Sequence, residues 1–120
     1  MNISDEMKKD GFLLLEKFEK EDHLFDTVLW MDSNYEPQLV FGIKSLTLPL
    51  LESYEKLLEI IFQQDNYSFD KDNVVFVSSD NHPVVQIINE RISTEGIGPI
   101  ALHGTTFNDI IVPNAFIYKI

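Results

Sequence analysis

The 120-residue sequence predicts one α+β domain, a mixed or antiparallel central sheet packed by about three helices in the order αββαβαββ. Three observations carry this reading. Apolar residues recur at helical spacing in residues 4–20 and 47–62. Short runs rich in Val, Ile and Phe, bounded by turn residues, lie between and after them. No linker-like Pro/Gly/Ser tract divides the chain, and its length suits a single core across residues 1–120.

The first helix is expected from about Ser4 to Lys20. Ser4 is a cap, Asp5 and Glu6 suit the positive end of the helix dipole, and Met7, Gly11, Leu14, Leu15 and Phe18 share a face. Gly11 costs about 1 kcal/mol relative to Ala inside a helix, so it marks close packing or a break. Leu24 to Met31 and Gln38 to Ile43 then read as a hairpin around Asp32-Ser33-Asn34, with Pro37 where a missing N–H is tolerated.

Thr47 caps the second helix, and Pro49 lies in its first turn. Leu50, Leu51, Tyr54, Leu57, Leu58, Ile61 and Phe62 form its apolar stripe, while Glu52 and Lys56 are spaced as an i,i+4 pair on the polar side. After a polar loop over residues 63–72, Val74-Val75-Phe76-Val77 reads as a strand buried on both faces. Ser78 to His82 is a strand-to-helix turn, with Asp80 or Asn81 capping a third helix that carries Val84, Ile87, Ile88 and Ile92. Two or three strands follow the Gly96–Pro99 break: 100–103, 109–112 and 115–119.

The charge is one-sided. The chain holds 20 Asp and Glu against 9 Lys and Arg, a net −11. Residues 1–36 carry 10 acids and 4 bases, residues 37–80 carry 7 and 3, and the remaining forty carry 3 and 2. Phosphate binding needs a basic surface, so nucleic acid is excluded as a partner. The absence of cysteine removes disulfides, thiolate metal sites and a cysteine nucleophile, and fits a reducing cytoplasm. The acidic start and short apolar runs predict neither a signal peptide nor a membrane span.

Catalytic patterns are missing. His23, His82 and His103 match no ligand spacing, although a site combining Asp80, His82 and His103 is conceivable if their turns meet. Asp65, Asp70 and Asp72 lack the glycine and glutamate of a calcium loop. Ser78 and Ser79 lack a nucleophile elbow, and Gly96-x-Gly98 opens no helix. The expectation is therefore a protein without enzymatic activity, cofactor or metal. The alternative is a small-ligand or catalytic site at the Ser78–His82 turn. A third possibility is a homo-oligomer formed through the apolar strand at Ala115 to Tyr118.

A small, cysteine-free, acidic α/β domain without catalytic signature resembles the bacterial immunity proteins of the contact-dependent growth inhibition type. That resemblance is one of overall type along the whole chain, so no family residue is carried over. It implies a cytoplasmic protein that forms a stoichiometric complex with a cognate toxin domain, often a basic nuclease. The candidate contacts are Glu19, Glu21, Asp22 and Asp26 at the first helix–strand junction, Tyr35 and Glu36 at the hairpin, and Asp65, Tyr67, Asp70 and Asp72 in the loop. Tyr is enriched at binding hot spots, which singles out Tyr35 and Tyr67 as anchors.

Overall fold

A computed structural model describes residues 3–32, 36–91, 100–102, 104–107, 110–112 and 114–119. Ser4 Oγ accepts the Met7 N–H at 3.1 Å and opens helix α1, Asp5–Lys20. Its end is fixed by Asp22, whose φ of 59° is left-handed. The Asp22 N–H bonds to Glu19 O and the His23 N–H to Phe18 O, pairing carbonyls the helix leaves unsatisfied. Strands β1 (Thr27–Asp32) and β2 (Pro37–Ile43) pair antiparallel, with Leu29 opposite Val40. The first strand thus begins at Thr27 rather than Leu24, which is exposed.

Thr47 caps helix α2, Leu48–Gln64, as its composition predicts. Glu52 and Lys56 do not form an ion pair; Glu59 instead faces Lys71 at 4.0 Å. A short 3-10 turn, Lys71–Asn73, leads into β3 (Val74–Ser78), which runs parallel to β2. Helix α3, Pro83–Arg91, is capped by His82, whose Nδ1 accepts the Val85 N–H at 3.3 Å. Neither expected cap serves it: Asp80 Oδ2 accepts from Ser45 N at 2.9 Å and braces the loop after β2. The remaining strands are β4 (Ile100–Leu102), β5 (Thr105–Phe107), β6 (Ile110–Val112) and β7 (Ala115–Lys119).

Five strands form one mixed sheet in the order β3-β2-β1-β7-β4, while β5 and β6 make a separate hairpin. This α+β domain agrees with the expected fold class and nearly with the expected order; β5 is the unforeseen strand. Two further expectations are overturned. The strand at Ala115 to Tyr118 is interior to the sheet, with Ala115, Phe116 and Ile117 paired to β1 on one side and β4 on the other, so it is not the unprotected edge expected for self-association. β3 pairs only with β2 among the described residues, and Val75, Phe76 and Val77 are half-buried. An apolar run marks a strand that packs, without saying whether its backbone edges are covered.

Alternation along the strands serves two cores. On one face Val28, Trp30, Leu39, Phe41 and Val74 meet Leu14, Leu15 and Phe18 of α1 and Tyr54, Leu58 and Ile61 of α2. On the other, Leu29, Met31, Val40, Ala115 and Ile117 meet Val85, Ile87 and Ile88 of α3. Phe18 is fully buried and lies 5.4 Å from Phe25 and 5.5 Å from Phe41, ring centroid to ring centroid. Among the described residues no helix is long and apolar enough to cross a membrane.

Candidate partner-binding surface

The strand pairing separates the candidate acids into groups. β1 begins where β2 and β3 end, so Asp26 lies beside Lys44, Ser79 and Asp80. Glu21 and Asp22 precede it on the α1–β1 connection, where both are exposed. Glu36 lies where β2 and β3 start, and Asn73 Nδ2 is 3.5 Å from its Oε2. Asp70 and Asp72 flank Lys71 on the same side, both exposed.

Two candidates are committed to ion pairs. Asp65 receives Lys17 from α1, and Glu19 lies 3.7 Å from Lys119 of β7. Lys17 and Lys20 line the groove between α1 and α2, together with Glu21, Leu57 and Ile60. The acidic junction is therefore interrupted by lysines. Among the described residues, no ion pair forms at Glu21, Asp22, Asp26, Asp70 or Asp72. Tyr35 and His103 fall outside the described residues.

Tyr67 is held within the fold. Its ring packs against Phe62 at 4.9 Å and Phe69 at 5.7 Å, and its buried hydroxyl finds no hydrogen-bond partner among the described residues. Burial, reinforced by the charges of Asp65 and Asp10, pushes its pKa up to about 12. An anchor would present that hydroxyl to a partner; here only the partly exposed ring is available.

The turn that carries the alternative reading is occupied structurally. Ser78 O accepts from Asn81 and His82 N–H groups, Asp80 holds Ser45, and His82 caps α3. Ser79 is buried over Gly42, its Oγ without a partner among the described residues. Beside the turn is an open polar cavity of about 450 Å³ that Asp26, Asp80, Asn89 and Glu90 help to line. Asn89 Oδ1 is engaged by Thr27 Oγ1 at 2.8 Å. His23 is likewise engaged: its Nδ1 donates to Glu21 O at 2.8 Å, which leaves Nε2 to accept from Ser53 Oγ at 3.1 Å. No group of three metal-ligating side chains occurs among the described residues.

Sequence reasoning missed two features. Asp26 and Glu90 are far apart in the chain and line one cavity because β1 begins where α3 ends. Glu55 and Glu59 read as ordinary polar-face residues of α2, yet they overhang the free edge of β3. Their four-residue spacing was the available signal, but it does not say which strand lies beneath.

No protein-family model, curated protein or solved structure matches this chain.

Proposed function

We propose that this chain is an immunity-type protein that neutralises a basic toxin domain, a nuclease by preference, through a stoichiometric complex in the bacterial cytoplasm. The observation that carries the reading is the set of exposed acids that the fold leaves without ion pairs among the described residues: Glu21 and Asp22 at one end, Asp70 and Asp72 at the other. Exposed like charges do not help a chain of net −11 to fold, since self-repulsion opposes compaction. They do speed capture of a basic partner, raising association from about 10⁵–10⁶ to as much as 10⁸–10⁹ M⁻¹s⁻¹ at low salt.

Asp22 adds a second argument. A glycine would suit its left-handed backbone better, and a side chain there costs about 1 kcal/mol. Retaining a carboxylate at that position fits a contact residue. On this reading, carboxylates occupy the places where a nuclease would otherwise receive phosphates.

The test is a search of the neighbouring gene for a toxin domain and association with its purified product, followed by stopped-flow kinetics in a salt series. Glu21→Lys with Asp22→Gly, and separately Asp70→Lys with Asp72→Lys, should slow association at least tenfold at low salt. Asp22→Gly keeps the helix terminus intact while deleting the charge. If both pairs associate at the parent rate, the acids are there only for solubility.

A further inference from the structure

The open edge of β3 is a prepared place for one more strand. Ser79 N–H bonds to Ile43 O at 3.0 Å, which fixes the phase of the parallel ladder. Val75 and Val77 therefore turn their backbone groups toward β2, while Val74, Phe76 and Ser78 turn theirs outward. The Val74 N–H is taken by Lys71 O, and Ser78 O by Asn81 and His82. Val74 C=O, Phe76 N–H, Phe76 C=O and Ser78 N–H remain as an edge that no described strand covers. Such a row is a template for strand addition.

A groove runs along this edge beneath α2, with a volume of about 420 Å³. Leu51, Leu58 and Phe76 give it an apolar floor, and Glu55, Glu59 and Asp72 give it an acidic rim, balanced only by Lys71. We infer that this groove takes an extended segment of a partner protein with Lys or Arg at alternate positions, paired to β3 as a sixth strand of the sheet. In such a segment alternate side chains face α2, because successive side chains of a strand point to opposite faces. A Lys or Arg there lays its apolar stem on Leu51, Leu58 and Phe76 while its charge reaches the carboxylates of Glu55 and Glu59. A second copy of this chain is the wrong occupant. Its β3 sequence, Val-Val-Phe-Val-Ser, supplies no cation, and its own Glu55, Glu59 and Asp72 would come to the same seam. The groove shares Asp72 with the acids of the toxin reading, but the inference requires only a basic extended segment, and its read-outs at Phe76, Glu55 and Glu59 lie apart from Glu21 and Asp22.

The probe is a blocked heptapeptide of alternating lysine and valine, titrated into the ¹⁵N-labelled full chain, with a glutamate–valine peptide as control. Saturable shifts are expected at Val74–Ser78 and around Glu55 and Glu59. Hydrogen exchange at the Phe76 amide should slow at least tenfold, because that N–H enters the new ladder. Glu55→Lys with Glu59→Lys, at exposed helix positions, should weaken the peptide at least tenfold without lowering the melting temperature. The inference is overturned by any of three results: shifts confined to residues 19–26, binding that leaves Phe76 exchange unchanged, or no shifts at millimolar peptide.

Discussion

Trp30 Nε1 donates a hydrogen bond to Tyr118 Oη at 2.9 Å, and the same hydroxyl donates onward to Lys8 O of α1. Trp30 is fully buried, so this relay is how the largest core side chain satisfies its one polar atom. It passes directly beneath Gly11. A Cβ there would overlap Tyr118 Oη and come within 2.7 Å of Trp30 Nε1.

Gly11→Ala is therefore expected to destabilise, although Ala is the better helix former. Propensity favours Ala by about 1 kcal/mol, while crowding a packed site costs about 1–3 kcal/mol and here strikes two held ring groups. Tyr118→Phe should cost about 1–3 kcal/mol by orphaning Trp30 Nε1. With the hydroxyl gone, Gly11→Ala should cost less in that background than alone. Urea denaturation of the two single variants and the double variant measures the coupling; strict additivity would mean that helix and relay are independent.

Ser79 and Gly42 form a second tight pair. The buried Ser79 Oγ has no partner among the described residues and would lie 2.8 Å from a Cβ at position 42. Removing an unsatisfied buried hydroxyl should be neutral or gain about 1 kcal/mol, so Ser79→Ala is expected to hold or raise stability. Gly42→Ala should lose about 1–3 kcal/mol, and Ser79→Ala should recover part of that loss. A Ser79→Ala variant that loses more than 1 kcal/mol in urea would show that the hydroxyl is hydrogen-bonded after all.

His82 gives the fold an acid sensitivity. Burial holds its pKa below the ordinary 6.5, and its Nδ1 must stay unprotonated to accept the Val85 N–H. Below pH 6.5 the unfolded chain takes up the proton before the folded one does. Stability linked to His82 is thus complete above that pH and is lost as pH falls toward the folded value. His82→Asn retains a good capping side chain and does not titrate. Its melting temperature should fall less than the parent's between pH 7.5 and 5.5, measured by circular dichroism. Equal falls would place the acid sensitivity elsewhere.

What could be read from the chain was local. Ser4 and Thr47 announce their helices because capping depends on residues three apart, and the α2 stripe and the β1–β2 hairpin likewise follow from short-range pattern. What could not be read depends on distant partners. The seat of β7 between β1 and β4 follows from pairings such as Trp30 with Phe116, which no periodicity encodes. His82 displaced Asp80 as the cap because Asp80 had a better use across the loop at Ser45. The candidate acids were legible as types and positions. That Lys17 would neutralise Asp65, 48 residues away, was not.

The position of β7 also sets an order of events during synthesis. β1 and β2 emerge early and can pair at once, but the other flank of β1 has its native neighbour only after residues 115–119 have been made. Until then the nascent chain carries an incomplete sheet, with Trp30 still lacking the Tyr118 hydroxyl. Closing such long-range pairs is slow, and exposed strand edges invite wrong partners meanwhile. The surplus of negative charge in the first two-thirds of the chain would keep neighbouring nascent copies apart during that wait.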